Sequence, residues 1–166
     1  MARVYLITGS NLGNRFSNLN NASDLIHNRI GPIIDTSSVY ESVPWGFKHP
    51  NKFLNQVIVV ETAKDPETLL IQLQEIERAL GRIRSSKEYS ARSIDIDILF
   101  YGQIILNNES LVIPHSRIAD RRFVLVPLCE LIPAYQHPVL NKTVQELLNL
   151  CKDRAEVTVF NTREKI

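Results

Sequence analysis

Along this chain the spacing of apolar and polar positions marks out the elements in order. Val4 to Thr8 is a short strand-like run that ends at Gly9. The polar turn Asn11-Leu12-Gly13-Asn14 can cap a helix. Phe16, Leu19, Ala22, Ile26 and Ile30 then recur at near-helical spacing until Gly31-Pro32 stops the pattern. Ile33 to Tyr40 is β-branched and short, which predicts a strand. Residues 41–52, ESVPWGFKHPNK, hold two prolines, a glycine and the only tryptophan, and predict a loop. Phe53 to Thr62 (FLNQVIVVET) is the clearest strand. Asp65 is placed to cap a helix with Pro66 at its first position. Leu69, Leu73, Ile76 and Leu80 form its apolar stripe, and Gly81 stands where a C-terminal cap belongs. After a polar loop over 82–92, Ile94 to Tyr101 predicts a strand, and Gly102-Gln103 is expected to fold it back on Ile104–Leu106 as a hairpin. Val112 to His115 is extended, Asp120 is expected to cap a helix running to Leu131 with a kink at Pro127, and Thr143 with Glu146 forms a capping box for a helix ending at Leu150. Val157 to Phe160 predicts a last strand.

The order of the strong elements, β-α-β-β-α-β, predicts an α+β fold of the ferredoxin-like split type: a mainly antiparallel four-strand sheet with helices on one face, followed by C-terminal extension helices. A length of 166 residues predicts one domain over 1–166. With 44% hydrophobic and 22% charged residues the chain can build an ordinary core, and a net charge of +1 argues against broad electrostatic attraction to nucleic acid or membrane. Any anion site must come from local clustering. No run is long enough for a signal-peptide core or a membrane span, and Cys129 and Cys151, the only cysteines, read as reduced thiols. A cytoplasmic protein with small-molecule partners, no nucleic acid and no membrane, is the expectation, and a monomer with it.

Residues 92–101, RSIDIDILFY, place two carboxylates inside a run that otherwise reads as buried strand. Residues two apart share a strand face, so Asp95, Asp97 and Leu99 project one way and Ile94, Ile96, Ile98 and Phe100 the other, with the carboxylates roughly 6–7 Å apart along the strand. Two ionised carboxyl groups that close repel unless a cation lies between them, and the separation suits a pair of hard divalent ions. Taken alone the motif is short and common, and the solvated face of an edge strand is the simpler explanation. The flanks shift the balance. Arg78, Arg82, Arg84, Lys87 and Arg92 precede the pair, with Glu88 the only acid between Arg78 and Asp95. Arginine forks in a loop beside metal-binding carboxylates describe a polyphosphate site. It is not a P-loop, because Gly9-Ser-Asn-Leu-Gly13 lacks the Gly-Lys-Ser/Thr ending.

An organic pocket is the third feature. Phe53, Asn55, Val57 and Val59 share a face of the 53–62 strand, and an aromatic ring beside a mid-strand amide suits a flat heterocycle. Each aromatic taken singly is more simply core, but a buried Asn55 needs partners. Trp45 lies on the preceding loop and Phe123 in a later helix. Gln74 and Glu77, three apart on the second helix, read in isolation as a solvated flank. His115 becomes relevant only if the 112–115 segment lies beside the arginine loop. A two-metal phosphoesterase or nuclease, and a non-catalytic ferredoxin-like binding module, stay open on these residues alone.

The chain resembles the 6-hydroxymethyl-7,8-dihydropterin pyrophosphokinase family. The resemblance is carried by Gly9-Ser-Asn-Leu12, Tyr40-x-Ser-x-Pro-Trp-Gly46, Phe53-Leu-Asn55, Gln74-x-x-Glu77-x-x-x-Gly-Arg82-x-Arg84, Arg92-Ser-Ile-Asp95-Ile-Asp97-Ile98, Val112-x-Pro-His115, and Arg121-x-Phe123 followed by Pro127-Leu128. It implies transfer of the β,γ-diphosphoryl unit of ATP to a pterin hydroxymethyl group, with ATP as co-substrate and two magnesium ions on Asp95 and Asp97. It further implies that Arg82 and Arg92 steady the triphosphate during transfer. Gln74, Glu77, Arg84, Lys87, Ile98, His115 and Arg121 would line the ATP site, Lys87 standing for a loop arginine common in the family. The pterin would stack between Trp45 and Phe123, read by Asn55 and by the main chain of Ser42, Val43 and Pro44. Phe53 stands in that pocket where a tyrosine is frequent.

Overall fold

The computed structural model describes residues 1–81 and 93–161. Its elements in chain order are β1 (Ala2–Ser10), α1 (Arg15–Arg29), β2 (Ile33–Thr36), β3 (Tyr40–Ser42), β4 (Phe53–Thr62), α2 (Pro66–Ala79), β5 (Asp95–Tyr101), β6 (Leu106–Asn107), β7 (Val112–Ile113), a 3₁₀ turn (Ile118–Asp120), α3 (Arg122–Leu131), α4 (Val144–Leu150) and β8 (Val157–Val159). The main sheet runs β5-β1-β4-β3-β8, with β2 also on β4. All of its pairings are antiparallel. The sequence order βαββαβ laid out this way is the ferredoxin-like arrangement, with the second strand broken in two at residues 37–39 and β8 added at the edge.

The helices form where the pattern places them. Asn14 caps α1 by accepting from Ser17 N at 3.0 Å, and Leu19, Ala22 and Ile26 are turned into the core. A Cβ at Gly31 would stand 2.0 Å from the Glu61 carbonyl oxygen, so only glycine lets the chain leave α1 this close to β4. Asp65 caps α2 with Pro66 in its first turn. Leu69, Leu73 and Ile76 are fully buried against the sheet, each contributing about 1.5–3 kcal/mol by the usual transfer scale.

Four expectations are corrected. Helices cover both faces of the sheet: α1 and α2 pack over Val4, Leu6, Leu54, Ile58, Ile96 and Ile98, while α3 and α4 pack over Tyr5, Ile7, Val57, Val59 and Leu99. Phe100 joins the α3–α4 side and not that of Ile98, because the β1–β5 register shifts between Tyr5 and Leu6 and leaves Leu99 as an extra residue. The hairpin expected at Gly102-Gln103 does not form: Ile104 and Ile105 are exposed, and β6 pairs instead with β7. The Asn108 side chain closes that turn by accepting from Ser110 N and Leu111 N. Asp120 belongs to the 3₁₀ turn, and α3 starts after Arg121, which offers no side-chain cap.

The helix caps carry a pH signature. Thr68 N and Thr68 Oγ1 donate to the Asp65 carboxylate at 2.9 and 3.0 Å. Thr143 N donates to Glu146 at 3.0 Å while Thr143 Oγ1 accepts from Glu146 N, the expected capping box. These bonds favour the ionised forms and hold both carboxyl groups below their ordinary pKa. A lowered folded pKa gives stability that is present above the unfolded value and lost as pH falls through the folded one. The melting temperature is therefore expected to drop as the pH passes below about 4, and Asp65→Asn with Glu146→Gln should flatten that drop in circular-dichroism melts.

Candidate active site

The site is assembled at one end of the central strands, and Gly9 is its pivot. In the ladder Gly9 lies opposite Asn55 of β4 on one side and opposite Asp95 of β5 on the other. A Cβ placed on Gly9 would stand 2.6 Å from Asn55 Nδ2 and 2.6 Å from Asp95 Oδ1. The missing side chain leaves room for an amide and a carboxylate to converge from neighbouring strands. Asn55 is 6% exposed and its Nδ2 donates to Thr8 O at 3.2 Å. Its Oδ1 is buried with no hydrogen-bond partner among the described residues. An unpaired buried acceptor costs about 1–3 kcal/mol, so this oxygen is what a donor on a bound ligand would satisfy.

Asp95 and Asp97 are half-buried on β5, flanked by the buried Ile94, Ile96 and Ile98. β5 is an edge strand, and its free backbone is claimed from two directions. Ile96 N, between the two aspartates, donates to Glu77 Oε2 at 2.8 Å. Glu77 is 1% exposed, so it is no solvated flank: its carboxylate reaches from α2 to hold the strand that carries the acids. On the same strand His115 N donates to Leu99 O at 3.0 Å. That contact brings the 112–115 segment, with its cis Ile113-Pro114 bond, onto β5. The half-buried His115 ring is pushed below its ordinary pKa by burial, with Arg121 and Arg117 adding to the effect and Asp97 opposing it. His115, Asp97 and Arg121 thus share one electrostatic neighbourhood.

Arg121 in turn meets the aromatic group. The Arg121 guanidinium sits over the Trp45 ring, 4.6 Å from its centroid, and 5.7 Å from that of Phe123. Phe53 meets Phe47 edge-to-face at 6.2 Å. Ser42 is buried, Val43 is exposed and Pro44 is half-buried at the start of the loop. Gln74 is half-buried on α2, one turn before Glu77. The Ile98 side chain is enclosed in the α1–α2 core, which leaves only its backbone for a ligand. Arg82, Arg84, Lys87 and Arg92 lie outside the described residues. Two contributors escaped the sequence reading. Gly9 reads in the sequence as a strand end and as part of the Gly9-Ser-Asn-Leu12 motif, with no local signal of its place between Asn55 and Asp95. Phe47 gave no signal of its own in a loop already rich in aromatics.

A family model described as 7,8-dihydro-6-hydroxymethylpterin-pyrophosphokinase matches residues 5–133. The chain belongs to this pyrophosphokinase family. It is 40% identical over 141 residues to a 2-amino-4-hydroxy-6-hydroxymethyldihydropteridine pyrophosphokinase of Porphyromonas gingivalis, covering 83% of this chain and 95% of that one. It is 43% identical over 141 residues to the folic acid synthesis protein fol1 of Pneumocystis carinii, covering 85% of this chain but spanning only 19% of that longer protein. In fold it is similar to the wild-type HPPK-DHPS of Plasmodium falciparum with SDX-DHP, at a TM-score of 0.73 and 22% identity over 90% of this chain and 43% of that one. Among the described residues no helix is long and apolar enough to cross a membrane.

The pivot generates a prediction. In Gly9→Ala the new methyl forces Asn55 and Asp95 apart. Turnover is expected to fall at least about tenfold, the size of effect that a misplacement near 1 Å easily produces. The chain should remain folded, because the atoms that must yield are side-chain ends. Steady-state kinetics beside a circular-dichroism spectrum check this. A fully active alanine variant would remove the pivot.

Proposed function

We infer that this protein transfers the β,γ-diphosphoryl group of ATP to 6-hydroxymethyl-7,8-dihydropterin, in folate biosynthesis. Its substrates are small molecules, with ATP the diphosphoryl donor. The observation that carries the reading to this chain's own residues is the convergence at Gly9. A heterocycle acceptor with an unmet need lies one strand from a carboxylate, so a pterin and a metal-bound phosphate chain would be held side by side.

In this reading the pterin lies against Trp45 and Phe123, with Phe53 closing the pocket. A ring N–H or exocyclic amino group donates to Asn55 Oδ1, and the main chain of Ser42, Val43 and Pro44 reads the remaining edge. ATP is held from the α2 and β5 side by Gln74, the Ile98 backbone, His115 and Arg121, with Arg84 and Lys87 from the 82–92 segment, while the buried Glu77 braces this side from beneath. Arg82 and Arg92 steady the triphosphate.

The donor set fits magnesium. Among the described residues no cluster of three or more potential protein ligands exists. Two carboxylates one residue apart suit an ion that keeps most of its waters and completes its shell with substrate phosphates. Asp95 and Asp97 would hold two such ions, which when bound neutralise phosphate charge on both sides of the transferred group. The protein's own work is positioning. The hydroxymethyl oxygen bonds to the β-phosphorus while the bond from that phosphorus to the oxygen bridging the α-phosphate breaks. AMP departs with that oxygen, and the hydroxyl proton is lost to solvent. The aromatic pair and Asn55 keep the acceptor oxygen in line. Glu77, by holding Ile96 N, fixes the strand on which the phosphate side is built.

Incubation with ATP, magnesium and 6-hydroxymethyl-7,8-dihydropterin should yield equimolar AMP and pterin diphosphate by ion-exchange chromatography; ADP or free phosphate in their place would overturn the reading. Asp97→Ala should lose at least about 100-fold in turnover, roughly 2.7 kcal/mol of barrier, with an unchanged circular-dichroism spectrum. Asn55→Ala should raise the pterin KM while leaving that for ATP nearly as it was.

A further inference from the structure

Arg15 opens α1 outside the site described above, yet it reaches across to the loop that carries Val43, Pro44 and Trp45. Its Nη1 donates to Glu41 Oε2 at 2.7 Å and to the Lys52 carbonyl oxygen at 3.0 Å. Glu41 and Lys52 flank the loop on its two sides. The ladder between β3 and β4 comprises only Tyr40↔Asn55, Glu41↔Leu54 and Ser42↔Phe53. A strand pair this short is marginal by itself. Arg15 grips one residue of that ladder and the first carbonyl beyond its end, so both stems of the loop are tied to a helix.

The grip is not an ordinary surface ion pair. The Arg15 side chain is 16% exposed and that of Glu41 26%. The guanidinium also lies 5.5 Å from the Phe160 ring centroid, and Phe160 N donates to Val39 O beside β3. One turn further along α1, Asn18 Nδ2 donates to Ser10 Oγ, Leu12 O and Ser93 O at 3.0–3.1 Å. Those acceptors sit at the end of β1 and just before β5. The first turn of α1 therefore links the pterin loop on one side to the strand ends bearing Gly9 and Asp95 on the other.

We propose that Arg15 is a positioning residue for the pterin, setting how firmly the 43–52 loop holds the ring without touching it. This rests on the assignment of Trp45 and Asn55 to a pterin pocket. The loop grips the ring equally before and during transfer, so its loss weakens binding more than chemistry. Arg15→Met keeps the apolar stem over Phe160 and removes the donors. It is expected to raise the pterin KM about tenfold, the worth of one charge-assisted hydrogen bond. The turnover number and the ATP KM should stay within about twofold, as uniform-binding losses do. Arg15→Lys should recover part of the loss, because the ammonium keeps charge and donors. Should the Met variant fail to fold, Glu41→Gln is expected to shift the pterin KM in the same direction by a smaller factor. An active wild type beside a Met variant with unchanged pterin KM overturns this inference alone, as does an equal rise in both KM values with a lowered melting temperature. A wild type that produces no AMP overturns the functional reading and this inference together.

Discussion

A flat heterocycle and a polyphosphate chain are recognised by opposed chemistries, one dry and directional, the other charged and hydrated, yet they must meet at a single bond. In the proposed reading the meeting is arranged by the antiparallel register of β1 between β4 and β5. Asn55 and Asp95 are strangers in sequence, but both lie opposite Gly9. Any other residue there would put a carbon between them. The position is fixed twice, since shifting either ladder by one residue would turn its polar group to the opposite face of the sheet. The buried strands that lock those registers, Val57 to Val60 on β4 and Val4 to Ile7 on β1, are thus also what aligns the two halves of the site.

An edge strand is an ordinary place for carboxylates but a loose one for a site that needs them fixed, because its free backbone invites fraying or foreign pairing. β5 is held at its outer edge by two bonds of different origin. Glu77 reaches from α2 to Ile96 N, and His115 N reaches from the 112–115 segment to Leu99 O. The first falls between Asp95 and Asp97, the second just beyond them. The register shift at Leu99 then sends both Leu99 and Phe100 to the α3–α4 core. The half of the strand bearing the acids is left as regular ladder, and the irregular half serves as anchor. Phe100 is fully buried among Tyr5, Tyr135 and His137, which makes that anchor stiff.

What was legible in the sequence was what local rules govern. Asp65-Pro66, the Thr143–Glu146 box and the apolar stripes of α1 and α2 each depend on neighbours a few residues away, and all stand where the pattern places them. The same-face reading of Asp95 and Asp97 depends only on strand parity. Parity failed at Phe100 because a bulge is decided by the partner strand. The hairpin at Gly102 failed because turn chemistry says that a chain can reverse, not what it will pair with. Glu77 was misread for a related reason: a carboxylate on a helix is ordinarily solvated, and nothing within α2 announces that an edge-strand N–H waits opposite it. Gly9 acquires its meaning only from two strands far away in the chain. The aspartates could be suspected from their own neighbours, whereas the group that unites them with Asn55 could not.

The C-terminal extension does more than cover the second face of the sheet. A bare ferredoxin-like core would carry Asn55 and the two aspartates but neither His115, Arg121 nor Phe123. The extension also repairs the broken second strand. Where β2 gives way to β3, Ser38 N and the Tyr40 hydroxyl both donate to the Glu130 carboxylate of α3, and β8 pairs along β3. Burial, with the Glu130 carboxylate beside it, raises the Tyr40 hydroxyl to about 12, so it stays a donor at any physiological pH and the link does not titrate away. Tyr40 is opposite Asn55 in the β3–β4 ladder. Through that pairing the helix that supplies Phe123 also steadies the strand beside the Asn55 amide, so the aromatic ring and the hydrogen-bonding group of the proposed pocket are referred to a single rigid element. A fold shared by many unrelated modules is made particular here by the polar groups on its strands together with what was appended to them.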